Sequence, residues 1–212
     1  MGNRQKNYFS GMTIIEMIVA ISIFTIAILG FTVLFMRSWK MNSYTIEMGQ
    51  SSYAVSQGVN SMVNYLRKVR QADDGSYPIK SAAENDLVVF SDYDKDGITE
   101  RLHFYLQSGQ VMMGITKPTS GIPRTYEASD QQTKLLADRI VNEADEPIFY
   151  YYNKDYPGDT ANNPVAMPVD VSTVRLVRIF LKINIDPNRA PDNIETQSFV
   201  ELRNLNDYDR MK

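Results

Sequence analysis

From Met17 to Met36 the chain carries no charged residue, and only Ser22, Thr25, Gly30 and Thr32 break the apolar run. At 1.5 Å per residue such a run spans about 30 Å as a helix, the thickness of a bilayer's hydrocarbon core. A different pattern takes over downstream. Val55, Val59, Met62, Leu66 and Val69 recur at alternating spacings of four and three, which puts them on one face of a helix. Ser56, Gln57, Asn60, Ser61, Asn64 and Arg67 fill the opposite face. One helix from Met12 to Arg70 would be about 90 Å long. It ends before Asp73-Asp74-Gly75, a turn signal.

Beyond that turn the period changes from helical to alternating. Leu87–Ser91 is a short apolar run, and Leu102, Phe104 and Leu106 share one face of a strand. Gln110–Ile115 follows across Ser108-Gly109, a tight hairpin signal. Ile148–Tyr152 is aromatic and β-prone. Arg175–Ile185 alternates most cleanly, with Val177, Ile179, Leu181 and Ile183 on one side, and Thr196–Leu202 pairs with it through Pro187–Asp192. Leu135–Asn142 fits a strand or a short helix equally well. Pro118–Thr133 and Asn153–Asp170 are long polar connections, of the kind that carries function or contacts.

The predicted fold class is α+β: a long N-terminal α-helical stem, membrane half followed by amphipathic half, packed on an antiparallel β-sheet domain. The expected divisions are a leader over 1–11, a transmembrane helix over 12–36, the amphipathic continuation over 37–71 and an extracytoplasmic β-rich domain over 72–212.

One charge stands at the mouth of the apolar run. Glu16 lies in Gly11-Met12-Thr13-Ile14-Ile15-Glu16-Met17, immediately before the lipid-length segment. A bare acid near the centre of a membrane helix costs about 2.5–3.5 kcal/mol, so it needs a partner. If the chain were cut after Gly11, Met12 would bear a new ammonium four residues before Glu16, on the same helix face. The carboxylate would also sit at the positive end of the helix dipole.

This segment resembles the signal of type IV pilins and of the pseudopilins of type II secretion. That signal is a short basic leader ending in Gly, then an apolar residue, Thr, two aliphatics, Glu and about twenty apolar residues. Here the leader is Met1–Gly11 with Arg4 and Lys6 as its charges. The resemblance implies cleavage between Gly11 and Met12 by a prepilin peptidase, N-methylation of Met12, and assembly into a helical filament through Thr13, Glu16 and the apolar helix. Glu16 would pair with the terminal amine of a neighbouring subunit. Met12 stands where the family most often has Phe, and the apolar run lacks the proline many major pilins carry. Gly30 is its one helix-weakening residue, at about 1 kcal/mol relative to Ala. In length and β-rich second half the chain is most similar to a minor, J-type pseudopilin. Partners implied are other pilin subunits, the peptidase, an inner-membrane assembly platform and the lipid bilayer.

Two simpler readings of the N-terminus compete. A secretory signal has an apolar core of about 7–15 residues and a small-residue cleavage site. Here Arg37-Ser38-Trp39-Lys40 follows instead. A plain anchor explains the apolar run but has no use for Glu16. Arg4 and Lys6 before the run favour a cytoplasmic N-terminus, with Arg37 and Lys40 blunting the bias. The expected location is the cytoplasmic membrane as a single-pass precursor, then an extracytoplasmic filament.

Composition narrows the chemistry. The 212 residues include no cysteine and one histidine, with net charge −3. Disulfides, thiolate catalysis and cysteine-ligated metals are excluded, and no zinc set can be built. Ser-His-Asp chemistry would have to pass through His103, which lies within an alternating strand. A glycosidase-like pair of acids about 5–9 Å apart is marked by no motif. The chain therefore reads as non-enzymatic. Arg67, Lys68 and Arg70 are the one basic cluster, read as a solvated helix end, and nucleic acid is not indicated. Tyr150-Tyr151-Tyr152 is read as half-buried sheet.

Asp92-Tyr93-Asp94-Lys95-Asp96-Gly97-Ile98-Thr99-Glu100 is the metal candidate. Acids at alternate positions followed by Gly resemble the first half of an EF-hand loop. Asp92, Asp94 and Asp96 would supply side-chain oxygens, Ile98 its carbonyl, and Glu100 a ninth-position ligand for calcium. The twelfth position, normally a bidentate Glu, is His103. Asp96-Gly97 is equally a hairpin turn whose acids keep the tip soluble. The alternative function is thus a membrane-anchored ligand- or calcium-binding module that does not polymerise.

Overall fold

A computed structural model describes residues 11–186 and 193–205, which form one long helix and eight strands. The helix, α1, runs Ile14–Leu66. The chain falls into two compact units, one through Glu47 and one from Met48 onward, and α1 contributes to both.

In the first unit the large apolar side chains from Met12 to Met41 are exposed on every face of α1. A helix apolar all round requires apolar surroundings, and this one is long and apolar enough to cross a membrane. Its few polar groups are satisfied within the helix. The hydroxyls of Ser22, Thr25 and Thr32 each donate to the carbonyl four residues back, at 2.8 Å. In hydrocarbon no water could do that service.

The second unit holds the amphipathic part of α1. Val55, Val59, Met62, Leu66 and Val69, the predicted face, are all buried, while Gln57, Asn60, Asn64 and Arg67 are exposed. The helix ends at Leu66, four residues before the predicted Arg70. Lys68 N–H and Val69 N–H bond carbonyls three residues back, tightening the last turn. Val69 then bridges Ser91, and Arg70 N–H donates to the Phe90 carbonyl at 3.0 Å. Pairing with a strand draws the chain out of the helix.

Two antiparallel sheets complete the unit. The first has the order β1 (Ile79–Ala82), β2 (Asp86–Ser91), β3 (Glu100–Gln107), β4 (Gln110–Thr116), β5 (Gln132–Ala137). The second has the order β6 (Phe149–Tyr152), β7 (Leu176–Ile183), β8 (Ile194–Glu201). At the β3–β4 turn Ser108 and Gly109 both have positive φ, 51° and 73°, as a two-residue hairpin of the I′ type requires. Leu135–Asn142, ambiguous in sequence, is a strand: β5, followed by Ile140 bridging Ile183. Strand β1 was not expected. The β7–β8 pairing is present, and its expected link Pro187–Asp192 lies outside the described residues.

Both sheets and the amphipathic part of α1 share one core. Leu102 and Phe104 of β3, Val177 and Ile179 of β7 and Met62 and Leu66 of α1 belong to the same buried cluster. Lys182 breaks the β7 alternation by being buried, and its ammonium meets Glu146 at 2.6 Å. Tyr151 is wholly buried and its hydroxyl donates to the Ala83 carbonyl at 2.7 Å.

Gly58 sets how closely β5 approaches the helix. A Cβ added there would lie 2.1 Å from the Leu136 carbonyl oxygen, a backbone atom that cannot rotate away. Alanine would gain about 1 kcal/mol of helix propensity and lose about 1–3 kcal/mol to overpacking. At Gly49 nothing lies within 4 Å of the added carbon. Thermal unfolding of the full chain in detergent should therefore give opposite signs: a lower midpoint for Gly58→Ala and an unchanged or higher one for Gly49→Ala. Equal gains at both positions would mean that β5 does not press on α1.

Candidate functional site

The N-terminal site begins as a helix cap. Thr13 precedes the first helical residue, Ile14, and Glu16 is the third residue of α1. The Thr13 N–H and hydroxyl both donate to Glu16 Oε2 at 2.9 Å, and Glu16 N–H returns a bond to Thr13 Oγ1 at 3.4 Å. This is a reciprocal capping box, which satisfies donors that the first turn of a helix leaves unpaired. Its signature, Thr-x-x-Glu before an apolar run, is present in the sequence. Gly11 and Met12 lie in the exposed, non-helical stretch just before the cap. Met1–Ser10 lie outside the described residues.

The second site is the connection from β2 to β3. Ser91 pairs with Glu100, so residues 92–99 form a hairpin loop, with Lys95 and Gly97 at positive φ. Asp92 Oδ2 accepts from Gly97 N–H at 3.2 Å, and Asp96 Oδ1 from Ile98 N–H at 2.8 Å. Glu100 Oε2 accepts from Tyr93 N–H at 2.8 Å. Asp92, Asp94 and Glu100 each bring one carboxylate oxygen within 4.8 Å of the other two. Asp96 lies close by, sharing a lysine with Asp94 and Glu100.

That lysine, Lys117, carries no local signal in the sequence. Its ammonium lies 2.7 Å from Asp94, 3.4 Å from Asp96 and 3.7 Å from Glu100. It follows β4, where Thr116 is paired with Arg101, so the β3–β4 register carries it to the loop. Arg70 clamps the other side, bonding Thr99 Oγ1 and the Gly97 carbonyl at 2.8 Å each, with Asp92 at 3.7 Å. The Lys117 ammonium holds the Asp94 carboxyl below the usual range, and Asp94 in turn raises the lysine. Glu100 moves the opposite way: burial pushes its carboxyl up.

His103, the formal twelfth position of the calcium pattern, is committed elsewhere. Its Nδ1 lies 2.9 Å from Asp130 and its Nε2 2.7 Å from Asp86. Asp130 also accepts from Arg101 at 2.8 Å, and Arg101 reaches the Thr116 hydroxyl and the Ala128 carbonyl. These contacts fasten the 117–131 connection to β3. Gly114 makes room, since a Cβ there would lie 2.1 Å from the Asp130 carboxyl. Nothing local in the sequence marks this network, because Asp86, His103 and Asp130 meet only through strand pairing.

Comparison with known proteins bears on the first site alone. Residues 6–32 match the family described as the prokaryotic N-terminal methylation motif. The N-terminus is therefore a type IV pilin-like prepilin signal, running into a helix suited to anchoring a single-pass precursor. No curated protein matches the chain.

The Asp130 network separates buried from exposed charge. Arg101 is 4% exposed, so Asp130→Ala leaves a buried guanidinium without its carboxylate, at about 3–5 kcal/mol. The side chain of Asp86 is 46% exposed, and its pair with His103 is worth about 1 kcal/mol or less. Denaturation of the full chain in detergent should show a large loss for Asp130→Ala and a small one for Asp86→Ala. Comparable losses would contradict the placement of the 117–131 connection.

Proposed function

We propose that this chain is a structural subunit, a minor pilin or pseudopilin, of a type IV pilus or type II secretion-like filament. A prepilin peptidase cleaves between Gly11 and Met12, Met12 is N-methylated, and an inner-membrane platform draws the apolar part of α1 out of the lipid to pack against other subunits. The observation that carries this reading is the conjunction of the matched methylation motif over 6–32 with a helix whose apolar side chains are exposed on every face. Such a surface has to be covered by lipid or by other helices. Size and β-rich composition favour a minor, J-type subunit over a major one. The role is structural rather than catalytic, a view supported by His103, whose two ring nitrogens are both engaged by carboxylates.

Glu16 has two jobs under this reading, and they can be separated. Gln at 16 keeps the side-chain acceptor that completes the capping box but has no charge for the Met12 amine of a neighbour. Losing one member of a buried ion pair costs about 3–5 kcal/mol. Both Glu16→Gln and Glu16→Ala are expected to be cleaved and to fail in filament incorporation. Wild-type incorporation of Glu16→Gln would confine Glu16 to capping. N-terminal sequencing tests the premise. N-methyl-Met12 in the mature chain supports the filament subunit; an intact Met1 turns the reading toward the non-polymerising membrane-anchored module.

A further inference from the structure

The loop between β2 and β3 holds four carboxylates, Asp92, Asp94, Asp96 and Glu100, against two cationic partners, Arg70 and Lys117. Part of the imbalance falls where water cannot relieve it. Glu100 is 0% exposed, and its Oε1 is buried without a hydrogen-bond donor. Asp92 Oδ1 is likewise buried without a donor. The second oxygen of each acid is already bonded, to Tyr93 N–H and Gly97 N–H respectively. Lys117, at 3.7 Å from Glu100 Oε1, is too distant to supply a hydrogen bond. An unanswered carboxylate oxygen inside a protein is costly, and a hard cation answers several at once.

The spacing suits one ion. Calcium–oxygen bonds of about 2.3–2.6 Å place any two ligand oxygens no more than about 5 Å apart. One oxygen from each of Asp92, Asp94 and Glu100 lies within 4.8 Å of the others. We propose that this loop binds calcium through Asp92, Asp94 and Glu100, and that Lys117 is a built-in competitor occupying the acids when the ion is absent. Water supplies the rest of the six to eight oxygens calcium takes, with Asp96 and the Ile98 carbonyl as the loop's next candidates. The Lys117 side chain is 48% exposed, free to withdraw into solvent as the ion enters. His103 stays out of the site, held by Asp86 and Asp130.

Competition makes a prediction that a simple acidic turn does not. Lys117→Met removes the competing charge without supplying a ligand. It should tighten calcium binding by about tenfold or more, equivalent to about 1.4 kcal/mol. The full chain in detergent, stripped with EGTA, is titrated with calcium chloride by calorimetry and by thermal unfolding. Expected are a calcium-dependent rise in the wild-type midpoint, tighter binding by Lys117→Met, and loss of both in Asp94→Asn, whose side chain is partly exposed and whose fold is least at risk. No heat and no midpoint shift up to about 10 mM calcium, in wild type and Lys117→Met alike, overturns the proposal, since that exceeds the weakest extracellular calcium modules. An equal response to magnesium, or a calcium response that survives Asp94→Asn, overturns it as well. Binding is read on the unassembled chain, so the outcome is independent of whether the protein polymerises.

Discussion

Burial of the Val55–Val59–Met62–Leu66 face ties the amphipathic part of α1 to both sheets, and much of the second unit follows from it. A helix face of this kind gains roughly 1.5–3 kcal/mol for each large side chain it hides. That gain is available only while the strands stand at contact distance. Gly58 permits the contact at β5, Tyr65 and Ser91 fix it at β2 through a carbonyl–hydroxyl bond of 3.1 Å, and Val69 closes it by leaving the helix to bridge Ser91. The end of α1 is thus decided by strand pairing, not by a glycine or proline stop.

The sheet then sets the electrostatics. Successive residues of β3 serve different networks: Glu100 turns to the acidic loop, Arg101 and His103 to Asp130, Leu102 and Phe104 to the core. Antiparallel pairing with β4 puts Thr116 against Arg101, and so delivers Lys117 beside Glu100. A one-residue slip of that register would exchange core and polar faces and dismantle both charge clusters together. Hydrophobic alternation in β3 and β4 therefore protects polar geometry that it does not itself contain.

This division explains what could be read from the sequence. Periodicity located Val55, Val59, Met62 and Leu66 on the buried face of α1, and Val69 just past its end, but not Tyr44, Met48 or Val63. Alternation located β3 and β7, and the Ser108-Gly109 turn located β4, because a local signal decides each of them. The α+β class followed. β1 escaped because Ile79–Ala82 has only two apolar residues and no clear period. Leu135–Asn142 stayed ambiguous because edge strand β5 exposes most of its side chains, so no buried face stamps a period on it. At the N-terminus Gly11, Met12, Thr13 and Glu16 are legible as a motif, and Thr-x-x-Glu also encodes the cap that Thr13 and Glu16 form. Lys117 and Asp130 were not. Each lies more than a dozen residues from its partners and reaches them only through the fold.

The capping box also bears on how one carboxylate could serve before and after processing. Both of Thr13's bonds fall on Glu16 Oε2, so the box makes no demand on Oε1. Cleavage after Gly11 removes neither the Thr13 N–H nor its hydroxyl, so the cap outlives the leader. A Met12 ammonium made by cleavage belongs to the same end of the helix, where the dipole favours a negative charge and disfavours a positive one. An amine placed there is better answered by the carboxylate of another subunit than left beside its own helix N-terminus. On the filament reading, the cap holds Glu16 in one rotamer with an oxygen to spare, and assembly supplies the cation that oxygen lacks.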